Sequence, residues 1–476
     1  MNQFANHSFV SRRDALKSAA CGFGGLALGA LAHRVAAGSN SFAPKLVHHT
    51  PKAKRVIFLF MAGGVSHVDS FDYKQKLFDD DGKMVRFDDA RTLAKTRKIV
   101  EHAVKKPLWK FKNYGQCGQP VSELFPHMAK HADDLCILKG MHTEGVAHGP
   151  STLFMHSGTI NLIRPSMGSW VNYGLGSENE NLPGFISLGP SMGNGGPRNY
   201  SNAFLPSSYQ GTTIGRAGIP AKVSSIKNIT APGVDPKEQQ KQFELLRALN
   251  AEQAKRRPGD DELNSVIGSF ELAWRMQNNA PSILDLSKEN PKTLAMYGID
   301  QKPTDNFGRY CLMARRLSEA GVRYIQVNYT DNGNNPSWDQ HSNMPKHMEH
   351  ARATDKPVAA LLQDLKQRGL LDDTIVWWGS EFGRTPYAQN KGTGRDHNPD
   401  GFTVCLAGGG LKPGFSYGNT DEYGHHAVEG KVHMHDLHAT ILHQLGLDHK
   451  KLTYRYDGRD FRLTDVHGRV VKEIIS

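Results

Sequence analysis

The sequence has few cysteines and no closely spaced cysteine pair. Only five of its 476 residues are cysteines, and none forms a C-x-x-C pair, so a structural zinc site built on thiolates is not supported. Cys117 and Cys136 are the only near pair, and a disulfide between them requires an oxidising compartment. A chain of this length can bury a large core and does not need such a crosslink.

The sequence also lacks an apolar run that could span a bilayer. The uncharged run over residues 19–32 is about 14 residues long, whereas a membrane-spanning helix needs roughly 20. Cys21 lies at the start of this run and not after it, which argues against lipid attachment. We therefore expect no stable membrane anchor.

Positive charge is in excess but is not concentrated. The formal net charge is +11, yet lysine and arginine do not gather into a stripe with interleaved aromatic residues. This dispersion argues against a nucleic-acid partner, while the overall field favours small anionic substrates. The chain is 38% hydrophobic and 22% charged, which is the composition of a folded protein and not of a disordered one.

The first 37 residues have the three parts of a twin-arginine signal peptide. Arg12 and Arg13 lie in the charged N-terminal region, and the run over residues 19–32 is rich in glycine and alanine. Ala36 and Ala37 provide a cleavage site of small residues. The pattern predicts export by the twin-arginine machinery to the periplasm or the exterior. Residues 38–54 are polar and basic and are interpreted as a linker to a domain over residues 55–476.

Apolar runs alternate with helical stretches along this domain. Residues 55–61 form a continuous apolar run that ends at two glycines, which is typical of a buried parallel strand. The alternation predicts an α/β fold with a doubly wound, mostly parallel sheet. Residues 188–300 are interpreted as an insertion or lid, or alternatively as a long surface excursion. Further strands are expected over 135–138, 324–327, 374–378 and 402–406, and helices over 237–276, 305–320 and 347–368.

Two polar loops follow the first predicted strands, at the edge where ligands bind in open α/β sheets. Asp69 lies after the two glycines and is predicted to bind a metal ion, although capping a helix would also explain it. His148 precedes Pro150 and Ser151, where a helix start could hold an anion. The alternative is a loop histidine that the backbone satisfies.

Three later segments add carboxylates and imidazoles near strand ends. Asp339 and His341 are two residues apart and can face one cation in an extended segment. Glu381 ends a strand and Arg384 follows three residues later, which suits a metal with a bound oxyanion or a simple ion pair. His397 adds another imidazole before the strand over 402–406. Together these groups predict a site for one or two divalent cations.

Six later histidines are not placed in this site. Those from His435 to His443 share helical spacing with leucine and isoleucine and are interpreted as surface or capping positions. His433 is the strongest remaining candidate for a ligand. The full set is His425, His426, His433, His435, His438 and His443.

Four motifs make the chain resemble the domain of unknown function 1501 family, a group similar to the alkaline phosphatase and sulfatase superfamily. The resemblance implies an alkaline-phosphatase-like core. It also places His148 where sulfatases carry their nucleophile, and Phe382 where they carry a histidine ligand. The motifs are G-G-x-S-H-x-D-x-F-D around Asp69, W-D-Q-H over 338–341, S-E-F-G-R-T-P over 380–386 and R-D-H-N over 395–398.

The resemblance and the residues together predict an exported, metal-dependent hydrolase of phosphate or sulfate esters. His148 or Ser151 would supply or replace the nucleophile, or His148 would be a ligand or an oxyanion-binding group, and Arg384 would bind the oxyanion. Zinc or manganese is favoured over calcium because imidazoles are among the ligands. The alternative is a non-catalytic metal- or anion-binding protein on the same fold. The predicted metal ligands are Asp69, Asp339, His341, Glu381 and His397.

Overall fold

A computed structural model of the chain describes residues 43–88, 99–226, 229, 233–332, 335–389 and 392–476. The predicted signal peptide over residues 1–37, with Cys21, lies outside the described residues. The predicted linker is described from residue 43 onward and contains no helix or strand there. Ala53, near its end, is already buried.

Nine of the strands in the described residues form one central sheet, and the others form two-stranded sheets around it. In chain order the strands are β1 (Arg55–Met61), β2 (Met84–Asp88), β3 (Ile99–Ala103), β4 (Phe111–Tyr114), β5 (Gln119–Ser122), β6 (Leu135–His142), β7 (Phe185–Leu188), β8 (Thr212–Ile214), β9 (Tyr324–Tyr329), β10 (Thr374–Gly379), β11 (Gly383–Arg384), β12 (His397–Asn398), β13 (Phe402–Ala407), β14 (Phe415–Tyr417), β15 (Asn419–Thr420), β16 (Ala427–Glu429), β17 (Val432–His433), β18 (Tyr454–Tyr456) and β19 (Arg459–Phe461).

The α-helices lie between these strands. In chain order they are α1 (Gln75–Asp79), α2 (His148–Ser157), α3 (Met167–Leu175), α4 (Pro236–Arg256), α5 (Asp261–Leu284), α6 (Pro291–Met296), α7 (Asp305–Glu319), α8 (Lys346–Gln367) and α9 (Met434–Gln444).

The central sheet is mostly parallel. Its strand order is β14-β6-β13-β10-β1-β9-β7-β8, with β17 also paired to β6. Strand β1 runs parallel to both β10 and β9, whereas β13 runs antiparallel to both of its neighbours. The predicted α/β class with a mostly parallel sheet is therefore confirmed.

Alternate side chains of β1 enter two separate hydrophobic cores. Ile57 and Leu59 belong to one core, which includes Leu312 of α7 and Leu361 of α8. Val56, Phe58 and Phe60 of the same strand belong to the other core, together with residues of α3 and α9. Successive side chains of a strand point to opposite faces, so helices cover both faces of the sheet and the doubly wound arrangement follows.

The region over residues 188–300 contributes to the sheet and also extends from it. Strand β8 pairs in parallel with β7 at the sheet edge, whereas α4 has no buried residue. The predicted helical stretch over 237–276 is two helices, α4 and α5. Pro258 and Gly259 lie between them, and both residue types interrupt helices.

Two features of the described residues concern the cysteines and the hydrophobicity of the helices. Cys117, Cys136, Cys311 and Cys405 are all free thiols, so Cys117 and Cys136 are not joined. Within the described part of the chain, no helix combines the length and the hydrophobicity that crossing a membrane requires.

Candidate functional site

The candidate site lies beyond the carboxyl ends of β9 and β10, where loops from distant parts of the chain meet. Asp339 and His341 lie in the connection from β9 to α8, and Glu381 comes two residues after β10 ends. The short strands β11 and β12 then pair so that Arg384 lies opposite His397. The carboxyl edge of an open α/β sheet is where ligands bind, and the structure brings most of the predicted residues there.

Four side chains form a compact group, which we call the His3Asp cluster: His148, Asp339, His341 and His397. One ligand atom from each lies within 4.8 Å of the others. Asp339 Oδ1 is 2.9 Å from His341 Nε2 and 3.3 Å from His397 Nε2. Asp339 Oδ2 is 3.2 Å from His148 Nε2. The two Nε2 atoms of His341 and His397 are 3.0 Å apart.

All three histidines of the His3Asp cluster point Nε2 inward and Nδ1 outward. A metal-binding histidine usually donates its other N–H to a carboxylate or a carbonyl, which fixes the ring and leaves the inner nitrogen free to bind. Two of the outer contacts are hydrogen bonds, His148 Nδ1 with Glu381 Oε1 at 2.6 Å and His397 Nδ1 with the Val146 carbonyl at 2.5 Å. His341 Nδ1 lies farther from its outer carboxylate, 3.7 Å from Asp396 Oδ1. The cluster therefore fits a divalent cation.

Two observations on single nitrogens agree with this fit. His148 Nε2 is buried and has no hydrogen-bond partner among the described residues, although Asp339 is near. Burial lowers the pKa of His397 to about 3, so its imidazole is neutral, as a metal ligand must be. Burial also acts to lower the pKa of His148, but the carboxylates of Asp339 and Glu381 outweigh it and raise that pKa above its ordinary value. A metal ion would therefore have to displace a proton from His148 in order to bind its Nε2.

Arg384 fixes Asp339 from the protein side. Its guanidinium is fully buried and lies 2.7 Å from Asp339 Oδ1. It also donates to the carbonyls of Gly64 at 2.9 Å and Arg395 at 3.1 Å, and to that of Gly63. Burial raises the pKa of Asp339, but the three histidines and Arg384 lower it more, so the carboxyl is ionised. In this structure the Arg384 guanidinium therefore hydrogen-bonds to protein groups.

Glu381 lies directly behind His148. Both of its carboxylate oxygens accept from the Gly63 amide at 3.0 Å, and Ser380 Oγ donates to it at 2.8 Å. The Gly63 backbone has φ +117°, and a Cβ there would lie 2.6 Å from the backbone nitrogens of Asp339 and Trp338. Only glycine allows the loop after β1 to come this close to the backbone of Trp338 and Asp339. The sequence motif alone does not reveal this contact.

Two other predicted residues, unlike Glu381 and Arg384, do not contact the His3Asp cluster. Asp69 is buried, and its Oδ2 accepts from Arg395 Nε at 2.7 Å, so this pair orders the loop after β1. Ser151 is buried one turn after His148 in α2, and none of its described contacts reaches the cluster. Sequence reasoning missed Arg395, whose partner lies 326 positions away and left no local signal.

The comparison with known families agrees with the motifs. A family model described as a protein of unknown function, DUF1501, matches residues 53–475. The chain belongs to this family. No curated protein matches the sequence significantly.

Solved structures that the chain resembles include a sulfatase, a lipoteichoic acid synthase and an alkaline phosphatase, all of very low sequence identity. A sulfatase from Pseudoalteromonas sp. is 11% identical with a TM-score of 0.36, over 83% of this chain and 68% of that one. The lipoteichoic acid synthase LtaP from Listeria monocytogenes is 8% identical with a TM-score of 0.38, over 89% and 78%. The alkaline phosphatase from the Antarctic bacterium TAB5 is 11% identical with a TM-score of 0.27, over 76% and 92%. These values are too low to assign a reaction to this chain.

Proposed function

We propose that the protein is an exported, metal-dependent hydrolase of phosphate or sulfate esters. The observation that carries the proposal is the His3Asp cluster, whose three Nε2 atoms and one carboxylate converge while each Nδ1 faces an outer acceptor. The cluster lies at the sheet edge where α/β proteins bind ligands. The excess positive charge of the chain also favours an anionic ester as the substrate.

Asp339, His341 and His397 would hold the ion, with His148 as the fourth donor. Imidazole-rich sites of this kind favour zinc or manganese over calcium. A divalent ion bound here would polarise an ester oxygen and lower the pKa of a bound water. Glu381 and Asp69 keep the ligand role as a prediction only, because their oxygens are held by the Gly63 amide and by Arg395 in this structure.

The protein's own groups would orient the reaction. Glu381 holds a proton on His148 Nδ1 and so directs Nε2 toward the centre of the cluster. Arg384 fixes the orientation of Asp339, a positioning role that its contacts support more than the predicted oxyanion role. The N-terminal turn of α2 begins at His148 and favours an anion placed beside it.

A non-catalytic metal- or anion-binding protein is the second candidate. It is supported by the restricted access to the cluster, since only His341 is appreciably exposed, with 26% of its side chain accessible. The side chain of Asp339 is 5% exposed. A buried group of this kind could hold an ion without admitting a substrate.

Metal content and turnover separate these two candidates. We expect the purified protein to contain a divalent metal by inductively coupled plasma mass spectrometry, and to hydrolyse an aryl phosphate or an aryl sulfate. His341→Ala should lose both, whereas the exposed control His127→Asn should keep both. Metal without turnover across both substrate panels would favour the binding protein. A protein that takes up no metal would refute the proposed function.

A further inference from the structure

A second group of metal-binding side chains lies outside the His3Asp cluster. Asp88 ends β2, and His425 and His426 lie in the loop between β15 and β16. One ligand atom from each of these three residues lies within 4.8 Å of the others. We call this group the loop cluster.

The loop that carries the histidine pair is held in place before any ligand binds. The Asp421 carboxylate accepts from the backbone amides of His425 at 2.8 Å and His426 at 2.9 Å. The same carboxylate accepts from the Tyr423 amide at 3.1 Å. Because one carboxylate fixes both backbone amides, the two imidazoles are presented side by side, with ring centroids 4.3 Å apart.

The donor atoms converge on Asp88. Its Oδ1 lies 2.6 Å from His426 Nε2 and 3.3 Å from His425 Nε2. The other nitrogen of His426, Nδ1, lies 3.9 Å from a carboxylate oxygen of Asp400. This distance is too long for a hydrogen bond, but it places a carboxylate on the outer side of the imidazole, where such groups orient metal-binding histidines. Ligand atoms around tetrahedral zinc are roughly 3.3 Å apart. An ion bound here would replace the hydrogen bonds of His426 Nε2 with Asp88 Oδ1 at 2.6 Å and of His425 Nε2 with the Asp88 carbonyl at 3.0 Å.

The three side chains of the loop cluster differ in their exposure to solvent. The side chain of His425 is 2% exposed, that of Asp88 is 24% exposed and that of His426 is 31% exposed. One donor is therefore buried while the other two are partly exposed, and an ion bound by all three would complete its coordination with water.

We infer that Asp88, His425 and His426 form a second divalent-cation site. Two imidazoles and one carboxylate select zinc or a similar transition-metal ion over magnesium and calcium. The ion ties the end of β2 to the loop between β15 and β16. This loop in turn contacts the strand of the first cluster, because Asn398 Nδ2 donates to the His425 carbonyl at 2.9 Å. The second site is structural and supports the position of β12.

Zinc stoichiometry tests this site. The purified protein is stripped with a chelator, reloaded with Zn²⁺, dialysed and measured by inductively coupled plasma mass spectrometry. We expect two zinc ions per chain in the wild type, one in His426→Asn and one in His341→Asn. The exposed histidine control His127→Asn should keep two, which excludes adventitious binding to surface histidines.

The test remains decisive if the proposed function fails. Without metal at the His3Asp cluster, the wild type would bind one ion, His341→Asn would still bind one, and His426→Asn would bind none. A zinc count that is the same in His426→Asn and in the wild type would overturn the second site. If that variant does not fold, Asp88→Asn, which conserves size at a partly exposed position, gives the same readout.

Discussion

Among single residues, Gly63 is the point where the loop after β1 packs directly against the backbone that carries Asp339. We expect Gly63→Ala to destabilise the protein by about 1–3 kcal/mol more than Gly82→Ala. Both glycines have positive φ, but a Cβ at Gly63 meets backbone atoms at 2.6 Å, whereas a Cβ at Gly82 has no atom within 4 Å. Denaturant unfolding measures the difference. Equal losses for the two variants would mean that the loop shifts easily.

The buried pair of Asp339 and Arg384 gives a second prediction. Asp339→Ala leaves the fully buried guanidinium without its carboxylate, and loss of one partner of a buried pair costs about 3–5 kcal/mol. Asp81→Ala breaks the half-exposed ion pair with Lys106 and should cost less than about 1 kcal/mol. Unfolding in the presence of a chelator isolates this effect from metal binding. A small loss for Asp339→Ala would show that water solvates Arg384.

At this scale the sequence could predict which segments carry the site but not how the residues pair. Asp339, His341 and His397 follow predicted strands or lie beside one, so their common edge could be foreseen. Asp69 and Arg384 have the same polar character as these residues. Their partners, however, come from segments far away in the chain, and a single sequence contains no record of that pairing.

Among the elements, the first turn of α2 decides the role of His148. We expect His148→Ala to lose metal or substrate affinity, because Nε2 points into the His3Asp cluster and Nδ1 is held by Glu381. No phosphorylated or sulfated histidine should be found by mass spectrometry after an acid-free quench. A trapped adduct on His148 would instead identify it as the nucleophile. Full activity of His148→Ala would move that role to Ser151, tested with Ser151→Ala.

The longer elements could be predicted from the sequence and the short ones could not. Strand β1 has the predicted bounds, and α7 and α8 begin and end within one residue of the predicted helices, because their apolar patterns are long. Strands β8, β14 and β17 have only two or three residues each. The antiparallel direction of β13 is set by its connections and not by its own residues.

For the whole molecule, buried neutral histidines predict loss of stability in acid. Burial lowers the pKa of His156 and of His438 to about 4, below the ordinary value of 6.5. The unfolded chain therefore binds more protons between these values, and stability that is full above pH 6.5 is lost as the pH falls toward 4. We expect the melting temperature to fall over this range. His438→Gln should flatten the fall, whereas the exposed control His467→Gln should not.

The proposed export of the full chain depends on the predicted signal peptide at its start. Replacing Arg12 and Arg13 by lysine should leave the precursor in the cytoplasm, because the twin-arginine pair is the recognised part of such a leader. Cell fractionation with an antibody to the protein measures the distribution. Arg34→Lys, in the same leader, should be exported normally. Normal export of the double variant would refute the twin-arginine route.

The position of β1 in the sheet has a consequence for the order of folding. This strand comes first in the described chain but pairs only with β9 and β10, so that Val56 meets Tyr324 and Ile375. Its six buried residues stay exposed to water until the ribosome has completed residues 324–379. Such late, long-range pairing slows folding and produces an intermediate whose exposed hydrophobic surface is prone to aggregation. A chain that stops before residue 324 should therefore aggregate, even though it contains the whole of β1.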